Sequence, residues 1–214
     1  KLGIVILKEE RWSGDVGVIS TFEQLPRVGV KAGLEYSEQN GKKRYDFAYL
    51  NLRYTPNIID QFRYDYQLRL GKLSLAGAPH LDADVYRATT NFTKSLKNDA
   101  FVEGSVAFEK SVARETPYSY HEGSLALGVD FPVNNWGVKF SSSVGLRLYA
   151  ANDPFFGDRR RDIKKKFGVM LSNKKIHTYG YKPEVGIVYE QNESSLAFFE
   201  YDKVSLVFSL IERY

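Results

Sequence analysis

Hydrolytic or metal chemistry in this chain would have to start from its histidines, of which there are three: His80, His121 and His177. A nucleophile–base pair needs two reactive side chains at one rim within hydrogen-bond reach. His80 and His177 fall in segments that read as loops. His121 sits near a strand start, in the register of an apolar face, which is the wrong side for a catalyst in a wet interior. None of the three stands in a short His/Asp/Glu cluster with metal-ligand spacing. There is no cysteine, so neither a thiolate metal site nor a disulfide framework can form. No glycine-rich phosphate loop appears. The sequence therefore predicts a protein that is not an enzyme and holds no metal and no cofactor.

What remains is electrostatic. Lys31, Arg53, Arg63, Arg69, Lys139, Arg147, Lys164 and Lys166 share the polar register of their segments with Glu35, Asp65, Glu103, Glu109, Asp130, Glu184 and Glu190. Charges of both signs on one face suit either a solvated channel with a transverse field or a narrow interior filled by salt bridges. The net charge is +4 and the pI about 9.0. Nucleic-acid binding calls for basic residues clustered on one element, and these are scattered along the chain. The denser runs, Arg159-Arg160-Arg161 with Lys164-Lys165-Lys166 and Lys174-Lys175, read as solvated loop and rim charge. No nucleic-acid partner is expected.

The elements that must position these charges are strands. Apolar residues recur at every second position in segment after segment, the signature of a sheet with one apolar and one polar face. The clearest is Phe62, Tyr64, Tyr66, Leu68 and Leu70 against Arg63, Asp65, Gln67 and Arg69. The longest is Trp136 to Leu148, with Lys139 and Arg147 on its polar side. Asn40-Gly41 is a strong hairpin-turn signal. The last segment carries Val204, Leu206, Phe208 and Leu210 on one face and ends on Tyr214, as a membrane barrel closes with an aromatic in the interface girdle. Ten strands are expected from residue 27 onward, with further strands over 1–8 and 14–20.

Aromatic residues make up 14% of the chain and mean hydropathy is −0.37. No stretch approaches the roughly 18 to 20 apolar residues a membrane helix requires. Several segments instead run well past the roughly 5 to 6 residues usual in soluble sheets. The expected fold is all-β: a transmembrane antiparallel up-and-down β-barrel of about twelve strands, within a range of about ten to fourteen, forming a single domain over 1–214 in the bacterial outer membrane. The loops at 74–82, 112–118, 150–160 and 191–199 are then extracellular, and the turns at 55–60, 94–98 and 132–135 periplasmic. The first residues, Lys-Leu-Gly-Ile-Val-Ile-Leu-Lys, lack the features of a signal peptide, so a mature or partial chain is expected.

From Asp153 to Lys203 the chain resembles the C-terminal barrel of the surface lipoprotein assembly modifier family, the translocators of type XI secretion. An aromatic-rich loop precedes Arg-x-Asp, here Arg160 and Asp162. Gly-x-x-Pro follows at Gly180 and Pro183, then Asn-x-Ser at Asn192 and Ser194, then a tyrosine, Tyr201, before the final strand. The order and spacing together carry the resemblance. It covers about the last 60 residues.

The resemblance implies an outer-membrane protein that helps lipoproteins or related clients reach the cell surface. Its implied partners are outer-membrane lipid, a client surface lipoprotein, the barrel assembly machinery and periplasmic chaperones. It also implies an N-terminal periplasmic helical domain and a barrel of about fourteen strands, neither of which fits within 214 residues. The alternative is a passive diffusion channel for small anionic solutes, using the inward Arg and Lys. On a bland reading Gly180 and Pro183 shape a periplasmic turn, and Arg160 with Asp162 is a loop ion pair.

Overall fold

Alternating segments leave the backbone few options: each exposes polar groups along both edges and finds partners in the segments before and after it. The computed structural model describes residues 9–19, 26–39, 42–56, 62–173, 175–176 and 181–212. Its strands are β1 (Glu9–Ile19), β2 (Arg27–Gln39), β3 (Lys42–Thr55), β4 (Phe62–Leu75), β5 (Ala83–Ser95), β6 (Phe101–Ala113), β7 (Tyr120–Val133), β8 (Trp136–Asn152), β9 (Arg159–Asn173), β10 (Tyr181–Ser194) and β11 (Tyr201–Glu212). All eleven form one sheet in which every strand pairs with its sequence neighbours, and each pairing is antiparallel. The chain is an all-β, up-and-down meander. Among the described residues β1 and β11 end the hydrogen-bonded order.

The ten strands expected from residue 27 onward are all present. The strand expected over 14–20 starts earlier than expected: it runs from Glu9 to Ile19 and pairs with β2 along its whole length. Arg11 and Trp12 lie in this ladder rather than in a turn, because backbone pairing does not require clean alternation. Residues 1–8 and the Asn40-Gly41 turn lie outside the described residues.

The sheet has no second layer among the described residues, and its burial is inverted. Outward residues such as Leu125, Leu127, Phe108 and Phe140 are about half exposed, while the buried side chains include Ser37, Asp65, Ser172 and Glu184. A single sheet can shield one face only by curling round it, so the polar face is the concave inner wall. Glycine permits this where side chains crowd: a Cβ on Gly33 would strike the Tyr49 ring that covers it. Outside, apolar residues form a belt with aromatics toward one end, where Tyr54 pairs with Tyr66 and Phe131 stacks on Phe140. Toward the other end the outer face turns charged, with Lys43–Asp46 and Lys165–Glu193 pairs.

The two ends of the sheet differ. One carries the turns at 96–100 and 134–135. The other carries the connections 76–82, 114–119, 153–158 and 195–200, three of which contain a short 3₁₀ turn: Pro79–Leu81, Thr116–Tyr118 and Ala197–Phe199. This grouping follows the expected one.

Candidate functional site: the inner wall and its looped rim

Antiparallel register fixes which inward side chains become neighbours, and here it assembles one row around the inner wall. Lys31 faces Asn51, Asn51 faces Arg69, and Arg69 faces Arg87. Arg87 faces Glu109, Glu109 faces Glu122, Glu122 faces Arg147, and Arg147 faces Asp162. Asp162 in turn faces Ser194. The row is basic on β2 to β5 and mixed on β6 to β10.

Within and beside this row the charges pair. Arg69 reaches over β3 to Glu35 at 3.1 Å and lies 4.2 Å above the Tyr49 ring. Arg147 binds Glu122 at 2.6 Å and lies 3.9 Å above the Tyr120 ring. Glu109 accepts from the Tyr120 hydroxyl at 2.6 Å and has Arg87 at 3.6 Å. Lys139 crosses to Glu103 at 2.6 Å, Lys166 meets Glu190 at 2.8 Å, and Arg53 holds Asp65. Lys164 stands on the same face of β9 between Asp162 and Lys166, and Glu184 is buried on β10. Arg63 also faces inward, opposite Thr93. Most of these pairs are partly exposed, so each stabilises the fold by about 0 to 1 kcal/mol. Together they leave the wall nearly neutral.

The looped rim is stitched by backbone hydrogen bonds between successive hairpins. Arg114 N donates to Asp82 O, Glu115 N to His80 O, Ala150 N to Ser119 O, and Ser195 N to Arg161 O. Side chains close the same joints: Asp82 Oδ1 accepts from Leu75 N and Ser119 Oγ from Ala113 N. Asp153 caps Phe155 and Phe156, and Gly157 turns the chain at φ 76°, a conformation that favours glycine.

Four of the resemblance residues meet at this rim. Arg160 forks onto Asp162, Nε to Oδ1 at 2.9 Å and Nη2 to Oδ2 at 2.6 Å. Asp162 is 0% exposed and also accepts from Ser194 Oγ at 2.8 Å. The Arg160 guanidinium lies 3.5 Å from the centre of the Phe199 ring and 4.7 Å from that of Tyr149. Asn192 Nδ2 donates to Phe199 O at 2.7 Å, while its Oδ1 has no hydrogen-bond partner. The network draws the 195–200 connection inward over the wall. Phe199 there meets Phe156 and Phe198 edge to face, Phe156 and Phe198 are tilted against each other, and Phe155 and Phe198 are 85% and 76% exposed. Tyr201 lies one step along, its hydroxyl on Glu190.

Four local readings are corrected. Arg160 and Asp162 are strand residues at the start of β9, not a loop pair, and Asn192 and Ser194 end β10 rather than lying in a loop. The basic run 159–166 is likewise in β9, alternating between its faces, because the ladder with β8 resumes at Arg159 beyond a register shift. Pro183 is a strand residue too. It faces Leu210 on β11, and the ladder with β9 starts only at Glu184, so no bond there needs its missing N–H. Phe208 lies on the outer face of β11. Gly180, His177 and Tyr214 lie outside the described residues. His121 is on the outer face, stacked on Phe108; His80 packs on Tyr118 at the rim.

Sequence reasoning missed Glu122, Tyr120, Asp153 and Phe198. The alternation of β7 is clear only from Leu125, although Glu122 shares the register of Ser124 and could have been found by extending the strand.

Comparison with known proteins adds what geometry alone does not give. A "Surface lipoprotein assembly modifier 1" from Haemophilus influenzae is 20% identical over 183 residues, which cover 82% of this chain and 35% of that relative. This chain thus spans about a third of that protein's length. A family model described as surface lipoprotein assembly modifier matches residues 8–214, nearly the whole meander together with its rim network. This chain therefore belongs to the surface lipoprotein assembly modifier family.

Proposed function

We propose that this chain closes into a β-barrel in the bacterial outer membrane and helps deliver lipoproteins to the cell surface. The inverted sheet carries the reading: an apolar belt outside, paired charges inside, on strands of 11 to 17 residues. At about 3.3 Å per residue, even fourteen residues give about 45 Å of strand, enough to cross about 30 Å of hydrocarbon when tilted. The family membership supplies the cargo class. The client is guided by non-covalent contact with the inner wall and with the rim aromatics, and the looped rim faces outside the cell. The mutual pairing of the inner charges leaves little field for the alternative, an anion-selective diffusion pore.

The test is display of a surface lipoprotein on intact cells, read by antibody and protease access, with and without this protein. Deletion is expected to abolish display and the wild-type gene to restore it. Unchanged display on deletion sinks the reading.

A further inference from the structure

Arg63 departs from the paired pattern of the wall. Its guanidinium lines a hollow of about 350 Å³ with Arg53, Asp65, Gln67, Asn91 and Thr93, where β3 ends and β4 begins. Asp65 is the obvious partner, but its carboxylate is already taken. Its Oδ2 accepts from Arg53 Nε and from Thr55 Oγ1, and its Oδ1 accepts from Gln67 Nε2 at 2.7 Å. Arg53 lines the hollow as well, with its Nε on that carboxylate. Among the described residues Arg63 makes no ion pair or hydrogen bond. Thr93 and Asn91 face Arg63 and Asp65 across the ladder, adding a hydroxyl and an amide as donors. Two planar guanidiniums with neutral donors beside them match an oxyanion that accepts several hydrogen bonds at once.

We propose that this hollow is an oxyanion subsite on the inner wall, taking a carboxylate or phosphate group through Arg63, Arg53, Thr93 and Asn91. It requires a water-filled inner wall but not any particular client. A small dissolved anion and an acidic side chain of a passing polypeptide present the same chemistry to it.

The test uses the whole chain in detergent with ¹⁵N-labelled arginine. The Nε–H signal of Arg63, identified by its loss in Arg63→Gln, is followed on titration with inorganic phosphate and, separately, with a hexaglutamate peptide. The Arg63 and Arg53 signals are expected to move saturably while those of Arg87 and Arg147 stay still. Thr93→Val, which keeps the strand and loses one donor, is expected to weaken binding about fivefold. Saturation at lower phosphate than peptide concentration identifies a dissolved anion as the occupant, and the reverse identifies a polypeptide carboxylate; either upholds the subsite. No saturable shift, or equal shifts at every arginine, overturns it. Lipoprotein display is a separate readout, so intact display without anion binding removes the subsite alone.

Discussion

Asp162 shows how much a single buried charge can organise. Its carboxylate is withdrawn from water and satisfied by the Arg160 fork and the Ser194 hydroxyl. Losing it leaves a cation pressed against two rings and a hydroxyl without its acceptor. Breaking such a pair from one side costs about 3 to 5 kcal/mol, whereas an isolated surface substitution stays within about 0.5 kcal/mol. Asp162→Ala is therefore expected to fall in the higher range in urea unfolding from lipid vesicles. Arg160→Lys keeps the charge but loses the fork and the ring contacts, and is expected to cost about 1 to 2 kcal/mol. A value near zero for Asp162→Ala would show that the network is incidental.

Hairpins of this sheet repeat a joint. In β6–β7 the first residue of the returning strand, Tyr120, donates to Glu109, eleven residues earlier. In β10–β11, Tyr201 donates to Glu190, again eleven residues earlier. Each joint follows a 3₁₀ turn, so the rim is a set of like brackets fastened to one another. Amide exchange follows local opening. The amides of Arg114, Ala150 and Ser195, bonded across adjacent hairpins, are expected to exchange far more slowly than those of Asn98 and Asp99, which sit at φ 59° and 57° in a turn at the opposite end. Comparable rates at both ends, measured by hydrogen–deuterium exchange, would mean that the stitching does not hold the rim. The strands were legible because alternation is imposed residue by residue. The brackets were not: Pro79 and Pro117 signal a break but not a 3₁₀ turn. Arg160 and Asp162 could be seen to share a face from their spacing of two. The contact of Asp162 with Ser194, thirty-two residues later, depends on register, which neither segment encodes alone.

Taken whole, the molecule is a wall one sheet thick, and its stability depends on what each face meets. Backbone pairing is internal to the sheet, but the outer belt has no protein layer against it among the described residues. Leu68 remains 41% exposed, and Leu206, on a strand paired on one side only, 79%. So much contiguous apolar surface is uncommon on a soluble monomer, and against hydrocarbon it needs no further cover. The two faces should then respond unequally to a change of charge. On the proposed membrane reading, Leu68→Arg places a charge against lipid near the middle of β4 and is expected to cost about 2 to 4 kcal/mol. Arg69→Leu, the next residue on the inner face, removes a partly exposed pair with Glu35 and is expected to cost about 1 kcal/mol or less. Folding free energies of both variants in vesicles decide the matter. An outer-face cost several times the inner-face cost is what a membrane-facing belt requires; equal costs would mean that the belt meets protein or water, and the outer-membrane reading would fall with it.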